Sequence, residues 1–345
     1  MRSSKLTFSR FFSIFLVFLL ASIMIACGKK DETLDDKQEI IIPTDTPIIS
    51  TAPDRAILVS PGDPTSIEFI EAQALVNELA SGSGLEFEIR EEIFASEITA
   101  DVRIIIFLEQ PDNLGSLAAG AAGTQFVAIS DQDWSPPANG TIIRKNKDHV
   151  AFISGYLSAL VAPNFRAGGL LLAEEPGFNQ AFANGVSYFC GICAAVVYPL
   201  NTYPVIAQQP TASPPANWQA AFNEININKV NVLFLPGEAA SAEMGAFLAG
   251  MDVAVIGNQP PTEEIKSRWV ATISSDGLTP LRNIWSDLLD GNGGKVLNAN
   301  VKLSDLNYVS LADGLVWLSQ GKIDHLSKVI DLLREGQINP YSVTP

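Results

Sequence analysis

Short, continuously apolar runs alternate with amphipathic stretches from residue 55 onward. "RAILVS", "VRIIIFLE", "QFVAIS", "AGGLLLA", "AAVVYPL", "VNVLFLP" and "VAVIGN" are strand-length, and "LEFEIRE" adds a more polar strand. Between them stand "PTSIEFIEAQALVNELASGSG", "PDNLGSLAAGAAG", "GFNQAFANGVSYFCG", "NWQAAFNEININ" and "SAEMGAFLAG", which read as helices. A strand with no polar side has no face to show water. The alternation therefore predicts parallel sheets covered by helices on both faces, an α/β fold. "KDHVAFISGYLSALVA" opens a second set of units, so two wound sheets are expected with a cleft between them. "WVATISSDGLTPLRNIWSDLLDGNGG" supplies one more strand and helix.

The N-terminus has a different character. Arg2, Lys5 and Arg10 flank an uncharged run over residues 11–26, which ends at Cys27. A spanning helix needs roughly 20 apolar residues, so the run reads as a targeting segment. "MIA" before Cys27 resembles the lipobox of bacterial lipoproteins, in which the cysteine is acylated and the leader removed. That resemblance implies attachment to the outer face of a cell membrane, with the bilayer as partner through an acylated Cys27. Losing residues 1–26 removes three positive charges and no negative ones, taking the net charge from −16 to −19. So acidic a body repels phosphate backbones, which argues against nucleic acid as a partner. Residues 27–54 turn charged and then rich in Thr and Pro, as a flexible tether does.

Several chemistries lack their residues. The two histidines, His149 and His325, have no second histidine at ligand spacing. No GxSxG elbow is present, and "DGNGGKVL" follows a helix and lacks the hydroxyl residue of a phosphate loop. Cys190 and Cys193 in "FCGICA" close a predicted helix rather than open one, which favours a structural disulfide over a redox centre or zinc. Glu174 and Glu175, or Glu238, are the carboxylates a hydrolase would use, but adjacent residues rarely point the same way. The chain is read as a binding protein rather than an enzyme, and no cofactor is expected.

"AGGLLLAEEPGFNQAFANGVSYF", "GTQFVAIS", "HVAFISGYLSALVA", "VAVIGNQ" and the terminal "LLREGQINP" resemble, in order, blocks of the basic membrane protein family of substrate-binding lipoproteins. The likeness spans about 55–341. It implies two doubly wound, Rossmann-like lobes of periplasmic binding protein type 1, crossed three times near 145–149, 258–270 and 295–299. On that layout one lobe comprises 55–146 with 270–296, and the other 147–269 with 297–345. The family consists of extracytoplasmic receptors for ABC importers, several of which bind purine nucleosides. The implied partners are a small-molecule ligand, with nucleoside as the first expectation, and an ABC permease in the membrane.

The resemblance places ligand-binding roles on Phe182 of the Phe-x-x-Gly element, with Phe178 as its competitor. It places them also on Ser130 or Asp131 where the family strand ends in Asp, on Asp63 after the first strand, and on Asn258 in "IGNQ". Asp276 stands beside Ser275 where a family lysine is missing. Glu174 and Glu238 lie in strand-to-helix loops, and Trp134 lies in a loop able to present a stacking ring. These departures from the family pattern also admit a ligand-sensing lipoprotein or an envelope protein whose cleft has decayed.

Overall fold

The computed structural model describes residues 53–342 except Asp133 and Val197. The leader over 1–26, Cys27 and nearly all of the tether over 27–54 lie outside the described residues. Among the described residues no helix is long and apolar enough to cross a membrane.

The first sheet is built from β1 (Arg55–Val59), β2 (Glu86–Arg90), β3 (Val102–Phe107), β4 (Gln125–Ser130), β5 (Gly140–Arg144) and β11 (Lys295–Asn298). Its order is β11-β5-β4-β3-β1-β2, parallel throughout. The period of two in a strand sends alternate side chains to opposite faces. Ile104 and Ile106 accordingly join Leu58 under α1 (Ile67–Gly82) and α7 (Leu278–Leu289), whereas Ile105 and Phe107 pack beneath α2 (Leu114–Gly120). Both faces are thus covered, as the all-apolar runs require.

The second sheet contains β6 (Ala167–Leu172), β7 (Val205–Gln209), β8 (Val232–Leu235), β9 (Ala254–Gly257), β10 (Trp269–Asp276) and β12 (Asn300–Ser304). Its order is β12-β10-β9-β8-β6-β7, and only the β10–β12 pair is antiparallel. One face carries α3 (Lys147–Val161), α4 (Pro176–Cys190) and α8 (Gln320–Arg334). The other carries α5 (Pro215–Asn226) and α6 (Ala242–Ala249).

Three details depart from the sequence reading. "AAVVYPL" is not a strand: Ala194 makes one isolated bridge to Thr202, and Val196, Tyr198 and Leu200 are exposed. A disulfide between Cys190 and Cys193, with Cα atoms 5.0 Å apart, closes the turn before it. Pro199 and Pro204 lack the N–H donors a ladder needs, and the strand begins only after Pro204, as β7. Second, "GTIIR" forms β5, a strand not expected there. Third, β10 finds hydrogen-bond partners on both sides only in the second sheet, so residues 270–276 belong there and not with the first lobe. The chain therefore crosses after Asp276, not near 258–270. The other crossings run from β5 into α3 and from β11 into β12. At these two the strands are joined: Ala299 N–H donates to Arg144 O at 2.8 Å, and Asn146 Nδ2 to Ala299 O at 3.3 Å.

The closest helix pair is α3 against α4. A Cβ placed on Gly155 would stand 2.0 Å from Phe182 O, and one on Gly185 would stand 1.9 Å from Phe152 O. The two backbones touch at this crossing, which only glycine permits. Ser154 and Ser158, buried in the same helix, donate their hydroxyls back to Val150 O and Ser154 O at 2.8 and 2.7 Å, so neither burial leaves a hydroxyl unsatisfied. We expect Gly155→Ala and Gly185→Ala each to cost about 3 kcal/mol in urea denaturation, the upper end for overpacking. A loss under about 1 kcal/mol would show that the helices separate freely.

Candidate functional site

Strand C-terminal ends and helix N-termini from both sheets meet around a cavity of about 560 Å³. The first lobe contributes the opening turns of α1, with Ser66, Ile67, Glu68 and Glu71, together with Ile129 at the end of β4. The crossing after β5 adds Lys145 and Lys147. From the second lobe come Glu175 and Phe178 at the start of α4, Glu238 after β8, and Asn258 and Gln259 after β9. Thr272, Ser274, Ser275 and Asp276 on β10, Lys302 and Ser304 on β12, and Asp305 just beyond it complete the wall.

Ion pairs line this space, and two of them, Lys302–Glu71 and Lys147–Asp131, join the lobes. Lys302 Nζ on β12 lies 2.8 Å from Glu71 Oε1 on α1. Lys147 Nζ, at the start of α3, lies 2.6 Å from Asp131 Oδ2 after β4 and 3.2 Å from Glu175 Oε1. Lys145 Nζ reaches Glu68 Oε1 at 2.5 Å. Burial pushes the Asp131 carboxyl up, but the ammonium bonded to it outweighs this and holds it below the ordinary 3.8. Burial likewise pushes Lys147 down, while the Asp131 bond and the Glu175 charge leave it raised above 10.5.

Other polar groups serve local structure. Asp276 Oδ1 accepts the N–H groups of Leu278 and Thr279, both at 3.0 Å, and so caps α7. Asn258 Oδ1 accepts Gly237 N–H at 2.8 Å, holding the loop that carries Glu238 at the rim. Asp305 Oδ2 accepts the Thr272 hydroxyl at 2.7 Å. The hydroxyl of Ser275 is buried in the wall without a hydrogen-bond partner among the described residues.

Of the residues singled out from sequence, Glu175, Phe178, Glu238, Asn258 and Asp276 line this cavity. Asp131 lines a smaller adjoining one, of about 340 Å³, which shares Lys145, Lys147, Glu175 and Phe178. The others are used elsewhere. Phe182 is fully buried, its ring 5.5 Å from that of Phe234, so the Phe-x-x-Gly element packs the core. Phe178, one helical turn earlier, also packs on Phe234 but stays partly open to the cavity. Trp134 lies against Gly140 and the core beneath α2. Ser130 is buried and accepts Gln132 N–H. Asp63 holds Thr65 in the turn before α1, and those hydrogen bonds lower its pKa. Glu174 turns to Thr211 while Glu175 turns to Lys147, which separates the two carboxylates.

The lysines and the α1 glutamates were not singled out in the sequence. Each lies beside a chain crossing or at a helix start, and its role depends on a partner distant in the chain.

No family model matches the chain, and comparison with curated proteins finds no match. Solved structures do resemble it. An ABC transporter solute-binding protein from Conexibacter woesei is similar with a TM-score of 0.63 and 12% identity, covering 83% of this chain and 98% of its own. An ABC transporter solute-binding protein from Aeropyrum pernix gives 0.58 and 14%, over 85% and 94%. A transcriptional activator of the comK gene from Bacillus halodurans gives 0.61 and 11%, over 83% and 99%. At such identities the likeness is one of fold. The chain has the periplasmic binding protein type 1 fold.

The inter-lobe bridge has a definite pH window. Asp131 has a folded pKa below its ordinary value, so its contribution is present above about pH 3.8 and fades as pH falls through the folded value. Lys147, with a raised pKa, contributes fully below pH 10.5 and loses this as pH rises further. The Lys147 and Asp131 side chains are 52% and 44% exposed. Solvent screening therefore limits the bridge to about 1 kcal/mol. We expect Lys147→Gln to lower the melting temperature by a few degrees at pH 7 and by less at pH 3. Equal destabilisation at both pH values would mean that packing, not charge, is lost.

Proposed function

We propose that this chain is a solute-binding protein, anchored by an acylated Cys27 on the outer face of a cell membrane, which passes a small polar ligand to an ABC importer. The observation that carries the reading is the cavity between two lobes of this fold, walled by strand ends of both sheets and large enough for a compact small molecule. The likeness to solute-binding proteins from Conexibacter woesei and Aeropyrum pernix supports the same reading.

The three crossings supply a hinge, and closure of the lobes would exclude water from a bound solute. Within the family suggested by sequence, the basic membrane proteins, a nucleoside is the ligand to try first. Phe178 offers the base a ring to stack on. Glu238 and the second carboxylate oxygen of Asp276 offer acceptors to ribose hydroxyls. Asn258, its oxygen committed to Gly237, offers its amide N–H groups.

Titration calorimetry with a panel of purine and pyrimidine nucleosides tests the ligand. We expect at least one to bind, and Phe178→Ala to weaken it by about tenfold, the loss of roughly 1.4 kcal/mol. Silence towards every nucleoside removes that ligand and leaves the receptor reading to a wider panel.

The resemblance to a transcriptional activator favours a second reading, in which closure reports ligand occupancy to a signalling partner. Permease and ATPase genes beside this one support delivery, whereas a sensor kinase gene supports signalling.

A further inference from the structure

The cavity wall has two ways of holding an anion, and the protein's own carboxylates and caps take up its lysines and the starts of α1 and α7. Ammonium groups are the first. Lys145, Lys147 and Lys302 face the cavity, and each is bonded to a carboxylate: Glu68, the Asp131–Glu175 pair and Glu71 respectively. Helix N-termini are the second, because their free N–H groups attract negative charge. At α1 the Ser66 hydroxyl oxygen accepts Phe69 N–H at 3.3 Å. At α7 the Asp276 carboxylate accepts two N–H groups and brings its own negative charge. At α4 the first residue is Pro176, which has no N–H to give, and the Glu175 carboxylate stands just before it.

The remaining charge in the wall is all of one sign. Glu238 and Asp305 have no cationic partner among the described residues, and one oxygen of Asp276 stays unused in the bonds described. A phosphate or carboxylate entering here meets ammonium groups whose charge carboxylates already balance, and lies against the surplus negative charge of Glu238, Asp276 and Asp305. A neutral hydroxyl or an amine meets neither obstacle, since carboxylates accept from both.

We propose that the cleft is selective by charge: its solute carries no phosphate or carboxylate group, and Glu238 is a residue that enforces the exclusion. The proposal rests on the solute-receptor reading above, and is independent of whether the ligand is a nucleoside.

Matched pairs that differ only in charge test it on the full soluble chain from residue 28. Suitable pairs are adenosine with adenosine 5′-monophosphate, ribose with ribose 5-phosphate, and galactose with galacturonate, measured by calorimetry at low and moderate salt. Whichever neutral member binds, we expect its anionic counterpart to bind at least tenfold more weakly, with the gap shrinking as salt screens the wall. Glu238 is exposed, and its carboxylate makes no hydrogen bond or ion pair among the described residues. Glu238→Lys should therefore leave the melting curve unchanged and narrow the gap to about threefold or less. An anionic member binding as tightly as its neutral partner overturns the charge selection and leaves the receptor reading standing. A gap untouched by Glu238→Lys overturns the role of that residue. Heat from no member of any pair, with no small molecule retained in native mass spectra, overturns the receptor reading and the charge inference with it.

Discussion

Everything at the cleft hangs from a place where two helices have no side chains between them. Gly155 and Gly185 let the α3 and α4 backbones meet, each with a carbonyl of the other helix where its Cβ would be. α3 begins at the first chain crossing with Lys147, and α4 begins at the cavity with Glu175 and Phe178. Locking the two helices together therefore sets where the bridging ammonium and the cavity's aromatic ring stand. Interiors this dense transmit displacement rather than absorb it, so a change at the glycines reaches the cleft. The glycine and Phe182 of the family-like motif thus owe their place to packing.

The cleft is polar, yet much of its polarity is committed. Three of its acidic residues and its three lysines make bonds that join elements far apart in sequence, and Asp276 and Asn258 hold a helix start and a loop. Such bonds fix the walls in advance, which would lower the ordering cost of binding for the solute proposed above. They also determine what remains available: one open ring, a few hydroxyl and amide groups, and surplus negative charge. The closure proposed above would break or remake the Lys302–Glu71 and Lys147–Asp131 contacts. Because these are half-exposed and individually weak, they can bias the hinge without locking it.

The α/β class and the two-lobed layout were legible because apolar runs without a polar face admit few solutions. Errors arose where local sequence was ambiguous. "AAVVYPL" has the composition of a strand, yet prolines and a disulfide-closed turn remove it from the ladder. "GTIIR" is too short to stand out from the loop before it. The second crossing was misplaced because "WVATISSD" satisfies strand composition in either sheet, and only the available hydrogen-bond partners decide between them. At the site, Phe178 and Phe182 look interchangeable in sequence. They lie about one turn apart on α4, and the helix sends one ring wholly into the core and leaves the other at the cavity.

The chain alone determined the kind of object this is: two wound sheets carrying a net negative charge. These follow from patterns of burial and charge that act over a few neighbouring residues. Tertiary structure alone decided which polar groups face the cavity and which are already spent, since Lys302 meets Glu71 from 231 positions away. A residue's type states which bonds it is able to make, but only the folded chain brings the partner within reach.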